Sequence, residues 1–489
     1  MNRAERLARL LRVLAAIISQ PGLNPLELAA RAGVSERTLR RDLAQLRDLG
    51  YEVEYSSGYE VQEKLNLDGR GRQRKRTPAD DALLQAVATA VESAGLWRDV
   101  GGPEPAPKRT RAKRSGPAPI LLIPAGDDDA DFRYATGFGV EFGLYIRFAD
   151  GDDVLVVSPL EIDNARSRAR AKAIVEDRDV YARDAWAELG ARMLRERGVD
   201  TARVSGNLRA AHLEDLRGHG IDVHVDRGLF RAERRRKKED EADAIGAAQR
   251  AAEAAVVVVV RELAGAEVRD GLLWTDGEPL TSERLYSRAQ LLLADRGFTC
   301  PDMIIAGSPG TAIPHYRGEG QIKAHAPVII DIFPSGRASH YHGDLTRTVV
   351  VGDVSDEVRR MHAAVLQALD AGIETIAAGV PAEEAHHAVC EVLVSRGYAT
   401  TTAGFEGEDG VAKLNHSTGH GVGLQIHEEP ALRDGAKAPL QEGDVVTVEP
   451  GLYLLGFGGV RVEDTGMVVK GGFRNFTTLT RSLNPRDYL

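Results

Sequence analysis

Five potential ligands of hard metal ions stand out in the last third of the sequence. Asp331 ends the apolar segment APVIID, and Asp344 lies 13 residues further on, in YHGDLTRTVVV. His420 lies in HSTGHGVG, Glu449 follows the apolar run DVVTV, and Glu463 closes GVRVED. Carboxylates buried beside Val, Ile and Leu are costly unless cations or hydrogen-bond donors compensate them. The pattern therefore predicts a site for two divalent ions, which would also lower the pKa of a shared water and supply a nucleophile near neutral pH.

Several segments around these positions resemble one family of metallopeptidases, which includes methionine aminopeptidase, aminopeptidase P and prolidase. The segments are IPHY (313–316), VIIDIFPSG with YHGDLTRT, GHGVGLQIHEEP (419–430), EPGLY (449–453) and GVRVED (459–464). All five ligand positions occur in the family's order. The resemblance implies a C-terminal α+β domain of the pita-bread fold over residues 231–489. It also implies a dinuclear peptidase of the Xaa-Pro aminopeptidase or Xaa-Pro dipeptidase type.

The resemblance assigns a role to each ligand position. Asp331 would hold one metal ion, and Asp344 and Glu463 would bridge both ions. His420 and Glu449 would complete the other site. Mn²⁺, Co²⁺ or Zn²⁺ would fit; carboxylate-rich ligands favour Mn²⁺ as a hard ion, whereas the general affinity order favours the others.

The resemblance also names groups that would act on a short proline-containing peptide. Glu449 would accept a proton from the nucleophilic water and pass it to the leaving amine. His315 and His427 would contact the substrate and stabilise the oxyanion of the tetrahedral intermediate. Arg461 would orient carboxylates, and the two glycines of GHG would allow the backbone to approach the site closely.

Two departures from the family pattern concern the hairpin and the segment before His315. Relatives usually space the two aspartates more closely, so a longer hairpin loop is expected between the strands that carry Asp331 and Asp344. The segment GSPGTAIPHY stands where many relatives have Asn-Ala-Ala, which concerns substrate contacts rather than the metal ligands. The alternative is a metal-free relative such as creatinase, or an inactive binding module, but such proteins usually lose ligands.

The first 62 residues have the order of a winged helix-turn-helix domain. Helices are predicted over 2–20, 25–32 and 36–49, followed by a β-hairpin of 51–55 and 59–62. The segment ELAARAGVSERTLRRDL resembles the domains at the head of regulators with DeoR-like winged helices. It predicts contacts with double-stranded DNA through the second helix of the motif, from Ser35, Arg37, Thr38, Arg40 and Arg41. A three-helix protein–protein module is the alternative.

The remaining sequence predicts a connector and a middle domain. Residues 63–119 contain two basic runs, 70–76 and 107–114, and one helix over 79–96. The basic runs either extend phosphate contacts or form a flexible linker. Residues 120–230 alternate strands with helices at 160–175 and 183–197, which indicates an α/β domain that resembles the creatinase-type N-terminal domain. One charged helix is predicted over 231–265. The chain as a whole is thus an α/β multidomain protein.

Charge, cysteine spacing and hydropathy limit the partners and the cell compartment expected for this protein. The net charge of −10 argues against a general binder of polyanions, and Cys300 and Cys390 are too far apart for a predicted disulfide framework. No apolar run reaches the roughly 20 residues of a membrane span. A reducing cytoplasm is expected. Two compatible hypotheses follow: an active peptidase with a DNA-binding head, or a transcription regulator, expected as a homodimer, that senses a peptide or metal through the peptidase fold.

Overall fold

The computed structural model describes residues 10, 13, 16–17, 23–48, 51–55, 59–65, 74–75, 117–408 and 410–489. The chain divides into two units, Met1–Ser115 and Gly116–Leu489. None of the helices in the described stretches combines the length and the apolar character that crossing a membrane requires.

Local capping signals fix helix α1 (Pro25–Ala32) in the N-terminal unit. The side chain of Asn24 accepts hydrogen bonds from the first turn, and Glu27 accepts one from the Asn24 backbone N–H at 3.0 Å. This reciprocal arrangement satisfies donors that the helix itself leaves unpaired. Gly33 ends the helix with φ 68°, a left-handed conformation that glycine adopts without steric cost. The predicted helix over 25–32 is confirmed.

The second helix, α2 (Glu36–Asp48), follows directly. The hydroxyl of Ser35 accepts a hydrogen bond from the Thr38 backbone N–H at 3.3 Å, the contact typical of an N-cap residue. The four described residues of the predicted first helix, at positions 10, 13, 16 and 17, are helical and buried. Apolar side chains from all three segments form one small core, which includes Val13, Ile17, Leu28, Leu39 and Leu43.

Three antiparallel strands complete this unit: β1 (Tyr51–Tyr55), β2 (Tyr59–Leu65) and β3 (Arg74–Lys75). The predicted hairpin is confirmed, but β2 runs past residue 62, where the sequence places the end of the domain. β3 lies in the first basic run, so these two residues form a strand rather than part of a flexible linker. The predicted helix over 79–96 and the second basic run lie outside the described residues.

Residues 117–230 form a six-stranded mixed sheet flanked by helices. The strand order is β7-β6-β5-β4-β8-β9, in which β4–β5 and β5–β6 are antiparallel and the other pairs are parallel. The strands are β4 (Ile120–Leu122), β5 (Gly143–Arg147), β6 (Asp153–Val157), β7 (Ala173–Glu176), β8 (Thr201–Ser205) and β9 (Asp222–Asp226). The helices are α3 (Ala130–Thr136), α4 (Ile162–Arg168), α5 (Arg178–Arg183), α6 (Trp186–Glu196) and α7 (Ala210–Gly218).

Two helix predictions are wrong in part. The helix predicted over 160–175 ends at Arg168, because residues 173–176 pair in parallel with β6 as β7. The helix predicted over 231–265 is two helices, α8 (Arg231–Arg235) and α9 (Glu239–Ala264). Between the two helices, the side chain of Lys237 is buried against Glu428. A continuous helix at the surface would not require this burial.

The C-terminal part, from α9 onward, packs helices against three larger sheets with orders β14-β15-β17, β18-β19-β23-β24 and β21-β20-β22-β25-β26. The helices after α9 are α10 (Ser282–Asp295), α11 (Asp356–Thr375) and α12 (Ala382–Ser395). The strands are β10 (Glu267–Arg269), β11 (Leu272–Thr275), β12 (Glu278–Pro279), β13 (Phe298–Thr299), β14 (Ile304–Gly307), β15 (Pro327–Ile332), β16 (Ser335–Gly336), β17 (Leu345–Val350), β18 (Ala399–Thr400), β19 (Lys413–Leu414), β20 (Gly419–Gly421), β21 (Glu428–Leu432), β22 (Val445–Val448), β23 (Gly451–Leu454), β24 (Gly458–Arg461), β25 (Asp464–Val469) and β26 (Gly472–Asn475).

Two hydrophobic cores support these sheets from different helix pairs. One core joins α9 and α10 to β15 and β17. The other joins α11 and α12 to β22, β23 and β24. The two halves meet where the backbone N–H of Glu463 donates to the carbonyl of Thr346 at 3.1 Å. The predicted metal ligands lie along this junction.

Candidate metal centre

The two aspartates lie on neighbouring antiparallel strands. Asp331 is in β15 and is the register partner of Thr346 in β17, and Asp344 immediately precedes β17. The chain between the strands contains the short strand β16, which pairs with β13. The predicted longer hairpin loop is therefore present, and both aspartates stay at one end of the strand pair.

The backbone of Asp344 is held by a helix that precedes it by almost 100 residues. The side-chain amide of Gln249, in α9, accepts from the Asp344 N–H and donates to the Asp344 carbonyl, both at 2.8 Å. A Cβ at Gly343 would lie 2.5 Å from the Gln249 backbone nitrogen, so only glycine allows this close approach. Gln249 itself is fully buried.

His420 lies in the short strand β20 between two glycines. A Cβ at Gly419 would lie 2.0 Å from the carbonyl oxygen of Thr447, and one at Gly421 would lie 2.4 Å from that of Glu429. The GHG segment thus needs both glycines to pass between β21 and β22, which supports the close backbone approach expected from the sequence. The His420 N–H donates to the Thr447 hydroxyl at 3.1 Å.

The structure brings the five predicted ligands to one region. Ligand atoms of Asp344, His420 and Glu463 all lie within 4.8 Å of one another. His420 Nε2 is 3.5 Å from Asp344 Oδ2 and 3.5 Å from Glu449 Oε1. Asp331 is buried beside them, and its charge acts on the pKa of Asp344. Carboxylates and one imidazole collected in this way are a donor set suited to divalent ions.

One guanidinium faces this acidic cluster. Arg461, at the end of β24, donates from Nη2 to Asp331 Oδ2 at 2.5 Å and from Nη1 to the Tyr453 hydroxyl at 2.9 Å. Its Nε also contacts the Thr346 hydroxyl at 3.3 Å, and that hydroxyl donates to Glu463 Oε2 at 2.8 Å. Arg461 therefore fixes carboxylates on both sides of the junction.

Burial and mutual repulsion raise the carboxyl pKa values. Burial, with the charges of Asp331 and Glu449, raises the pKa of Asp344 well above its usual value, and burial with the charge of Asp344 does the same for Glu463. Burial raises the pKa of Glu449 to about 8, although Arg461 acts in the opposite direction. Burial lowers the pKa of His420 to about 4, which keeps its imidazole neutral, the form that binds metals.

Two buried oxygens at the centre accept no hydrogen bond from the described residues: Asp331 Oδ1 and Glu463 Oε1. Buried carboxylate oxygens without a partner are costly, and native proteins rarely leave them so. A cation would satisfy both oxygens and remove the repulsion that raises the pKa of Asp344 and Glu463. The residues at this site thus fit bound divalent metal ions.

The comparisons with known proteins agree with this geometry. Residues 243–470 match metallopeptidase family M24, and residues 9–60 match an HTH domain. The prolidase structure from Pyrococcus furiosus superposes with a TM-score of 0.61 at 25% identity, over 74% of this chain and 97% of that one.

Residues 243–470 are a metallopeptidase family M24 domain.

Among curated relatives, the Xaa-Pro dipeptidase of Pyrococcus horikoshii is 31% identical over 250 residues. The alignment covers 50% of this chain and 64% of the relative, less than two thirds of its length. The Xaa-Pro dipeptidase of Lactobacillus helveticus is 36% identical over 143 residues, 29% of this chain and 36% of the relative. A structure of an Xaa-Pro dipeptidase from Bacillus anthracis has the same fold, with a TM-score of 0.65 at 24% identity over 75% of this chain and 94% of that one.

The two predicted substrate histidines of the M24 domain lie at its surface. His427 is exposed, and its ring packs edge-on against the ring of His420, with centroids 4.3 Å apart. Partial burial and the nearby charge of His315 lower the pKa of His427. His315 is exposed in the segment after Pro314, whose carbonyl accepts a hydrogen bond from Arg461 at 3.2 Å.

Sequence reasoning missed three residues that hold the M24 centre together: Gln249, Thr346 and Tyr453. Thr346 and Tyr453 lie in the quoted segments DLTRT and EPGLY, so their positions gave a usable signal. Tyr453 also contacts Nε2 of His416 at 2.9 Å. Gln249 lies in a helix of ordinary composition, so the sequence gave no signal of its role at the site.

The predicted DNA-contacting residues lie at the start of α2 in the HTH domain. Arg40 and Arg41 are exposed, and the hydroxyls of Ser35 and Thr38 are 3.0 Å apart. The side chain of Arg37 lies outside the described residues.

Proposed function

We propose that this protein is a dinuclear metal-dependent peptidase that hydrolyses Xaa-Pro bonds in short peptides. The observation that carries the proposal is the convergence of Asp344, His420 and Glu463 within 4.8 Å, beside Glu449. The M24 match and the Xaa-Pro dipeptidase relatives support the reaction class.

Five side chains are the proposed metal ligands. Asp331, Asp344, His420, Glu449 and Glu463 would hold the two ions. Bound Mn²⁺, Co²⁺ or Zn²⁺ would supply Lewis-acid activation of a water and of the scissile carbonyl. The many carboxylate ligands favour Mn²⁺ on grounds of ligand hardness.

Glu449 is the proposed proton carrier. Burial raises the pKa of Glu449 to about 8, and bound cations would lower that pKa. With its pKa lowered by bound cations, the Glu449 carboxylate would accept a proton from the attacking water. It would then pass this proton to the proline nitrogen as the Xaa-Pro peptide bond breaks.

Arg461 and the two histidines complete the proposed machinery. Arg461 keeps Asp331 in place through a 2.5 Å hydrogen bond. His427, packed on the ring of His420, and His315 donate hydrogen bonds to the substrate carbonyl as negative charge develops on its oxygen.

The test is hydrolysis of Ala-Pro and longer Ala-Pro peptides after metal stripping and reloading with Mn²⁺, Co²⁺ or Zn²⁺, with Ala-Ala as the matched control. We expect metal-dependent cleavage of the proline peptides and much slower cleavage of Ala-Ala. A folded protein with bound metal that cleaves none of these peptides would contradict the proposal.

A second candidate function is transcription regulation, in which the M24 domain senses a peptide or metal. The HTH match over residues 9–60 and the exposed Arg40 and Arg41 on α2 favour it. A homodimer would present two such helices to a palindromic site. Both functions are compatible in one chain.

The test of this candidate is duplex selection from a random library, followed by binding measurements at moderate salt. Arg40→Ala and Arg41→Ala should weaken binding, whereas Arg166→Ala, an exposed arginine of the second unit, should not. Equal binding by all three variants would contradict the assigned DNA-contacting face. A change in affinity on adding an Xaa-Pro peptide or Mn²⁺ would support the sensing role.

A further inference from the structure

Four charged side chains form a buried cluster next to the candidate metal centre. The side chains of Asp131, Arg234 and Glu428 are 10%, 11% and 8% exposed, and that of Lys237 is 1% exposed. They come from three parts of the chain: the 117–230 sheet layer, the α8–α9 segment and β21. Burial of so many charges is costly, so their placement needs a reason.

Arg234 is the centre of this cluster. Its guanidinium contacts Asp131 Oδ1 at 3.1 Å, Gln425 Oε1 at 2.8 Å, and the carboxylate of Glu428. Lys237 Nζ binds the other oxygen of Glu428 at 2.7 Å. Burial alone would raise the pKa of Glu428, but Lys237 and Arg234 hold it below its usual value. Glu428 is thus a fully compensated buried anion.

Glu428 lies directly against the turn that joins the two site histidines. It is the register partner of Gly421, the residue after the ligand His420, and it immediately follows His427. A Cβ at Gly423 would lie 2.0 Å from Glu428 Oε1, so this carboxylate fills the space beside the turn. Gln425, within the same turn, is the third partner of Arg234.

Asp131 extends the cluster into the 117–230 domain. It lies in α3, and the hydroxyl of Ser205 at the end of β8 donates to its Oδ2 at 2.5 Å. The path Ser205–Asp131–Arg234–Glu428 therefore connects that sheet to the turn 421–427 through hydrogen bonds alone.

We propose that Glu428 and Arg234 are positioning residues for the turn that carries His420 and His427, and that Asp131 makes metal binding depend on the docked 117–230 domain. The proposal rests on the dinuclear site proposed above. A purely structural ion cluster would affect unfolding only. A positioning cluster also changes how tightly the folded protein holds metal, because groups that orient a ligand contribute to its affinity.

The experiment is a calorimetric titration of Mn²⁺ into metal-stripped, full-length protein. The variants are Glu428→Gln, Arg234→Met and Asp131→Asn, with Arg236→Met as the matched control. Arg236 is exposed, two positions from Arg234 and outside the cluster. Circular dichroism and thermal melts first establish that each variant is folded.

We expect Glu428→Gln and Arg234→Met to weaken binding of the less tightly held ion roughly 10-fold or more. Asp131→Asn should act in the same direction by a smaller factor, although Asp131 contacts none of the proposed ligands. Arg236→Met should leave both affinities unchanged. If Arg234→Met does not fold, Asp131→Asn decides, since it leaves Arg234 paired with Glu428.

Folded Glu428→Gln and Asp131→Asn variants with wild-type affinity for both ions would overturn the inference, as would a wild-type protein that binds no divalent ion. Turnover is not used as the readout. A wild-type protein that binds two ions but cleaves no Xaa-Pro peptide contradicts the proposed peptidase alone, and the titration still decides whether the cluster positions the site.

Discussion

Arg461 Nη2 lies 2.5 Å from Asp331 Oδ2 in a site that also holds the carboxylates of Asp344, Glu449 and Glu463. The same guanidinium contacts the Tyr453 hydroxyl at 2.9 Å, so its orientation is fixed from two sides. One cation offsets one of four negative charges. Bound divalent ions would compensate the remaining negative charge.

Replacing Arg461 should strongly destabilise the protein. Arg461→Met leaves Asp331 buried without its cation, and loss of one partner of a buried ion pair costs about 3–5 kcal/mol. Urea unfolding of metal-stripped protein at pH 8 measures the change. The control is Arg474→Met, whose side chain is 42% exposed. A loss as small as that of the control would show that Arg461 does not compensate Asp331.

Removing Glu449 should abolish turnover while leaving the fold. Its side chain is 18% exposed and follows the end of β22, so Glu449→Ala opens little of the core. Loss of a proton carrier lowers kcat by roughly 10²–10⁴-fold, and loss of a metal ligand adds to this. Ala-Pro hydrolysis measures the effect, with exposed Glu442→Ala as the control. Substantial turnover in folded Glu449→Ala would remove Glu449 from the mechanism.

Metal-stripped protein should become less stable as pH rises from 7 to 8, above the range in which the lowered pKa of His420 acts in the opposite direction. The pKa of Glu449 is raised from 4.5 to about 8 in the folded state, so between these values the unfolded chain loses its proton first. Folding then costs more as pH increases. The raised pKa values of Asp344 and Glu463 act in the same direction.

Thermal melts at pH 7, 7.5 and 8 with chelator check this expectation, with Mn²⁺-loaded protein as the comparison. Bound cations should reverse the trend, because they bind the deprotonated carboxylates and the affinity therefore increases with pH. A flat or rising melting temperature for the stripped protein would contradict the raised pKa values.

Gly419 should not tolerate a side chain. Its Cβ would lie 2.0 Å from the Thr447 carbonyl oxygen, so Gly419→Ala must push β20 away from β22 and displace His420. Overpacking of this kind costs typically about 1–3 kcal/mol. Gly471→Ala, where no atom lies within 4 Å of the added Cβ, is the control. We expect lower stability and weaker metal binding for Gly419→Ala only; equal behaviour of both variants would be evidence against the close approach.

The candidate site was largely predictable from local sequence because several of its ligands lie in or beside apolar strands. Asp331 follows four apolar residues and Glu449 follows another apolar run. One short segment therefore predicts both the strand and the carboxylate that it carries. The two hydrogen bonds between the Gln249 side chain and the Asp344 backbone were not predictable. The two residues are 95 positions apart, and α9, the helix that carries Gln249, has an ordinary sequence.

The errors in the fold have tertiary causes. Residues 173–176 follow an Arg- and Ala-rich segment that favours helix, but parallel pairing with β6 makes them a strand. The basic run 234–238 also favours helix, yet burial of Lys237 against Glu428 interrupts it. In both cases a distant partner decides the local structure, and that partner is not visible in the segment itself.

Metal content measured after saturation with Mn²⁺ and desalting would show whether the centre holds two ions. We expect two ions per chain for the wild type, at most one for His420→Ala, and two for His219→Ala, a histidine in the 117–230 domain. A folded wild-type protein that retains no ions, or a His420→Ala variant that retains both, would contradict this expectation.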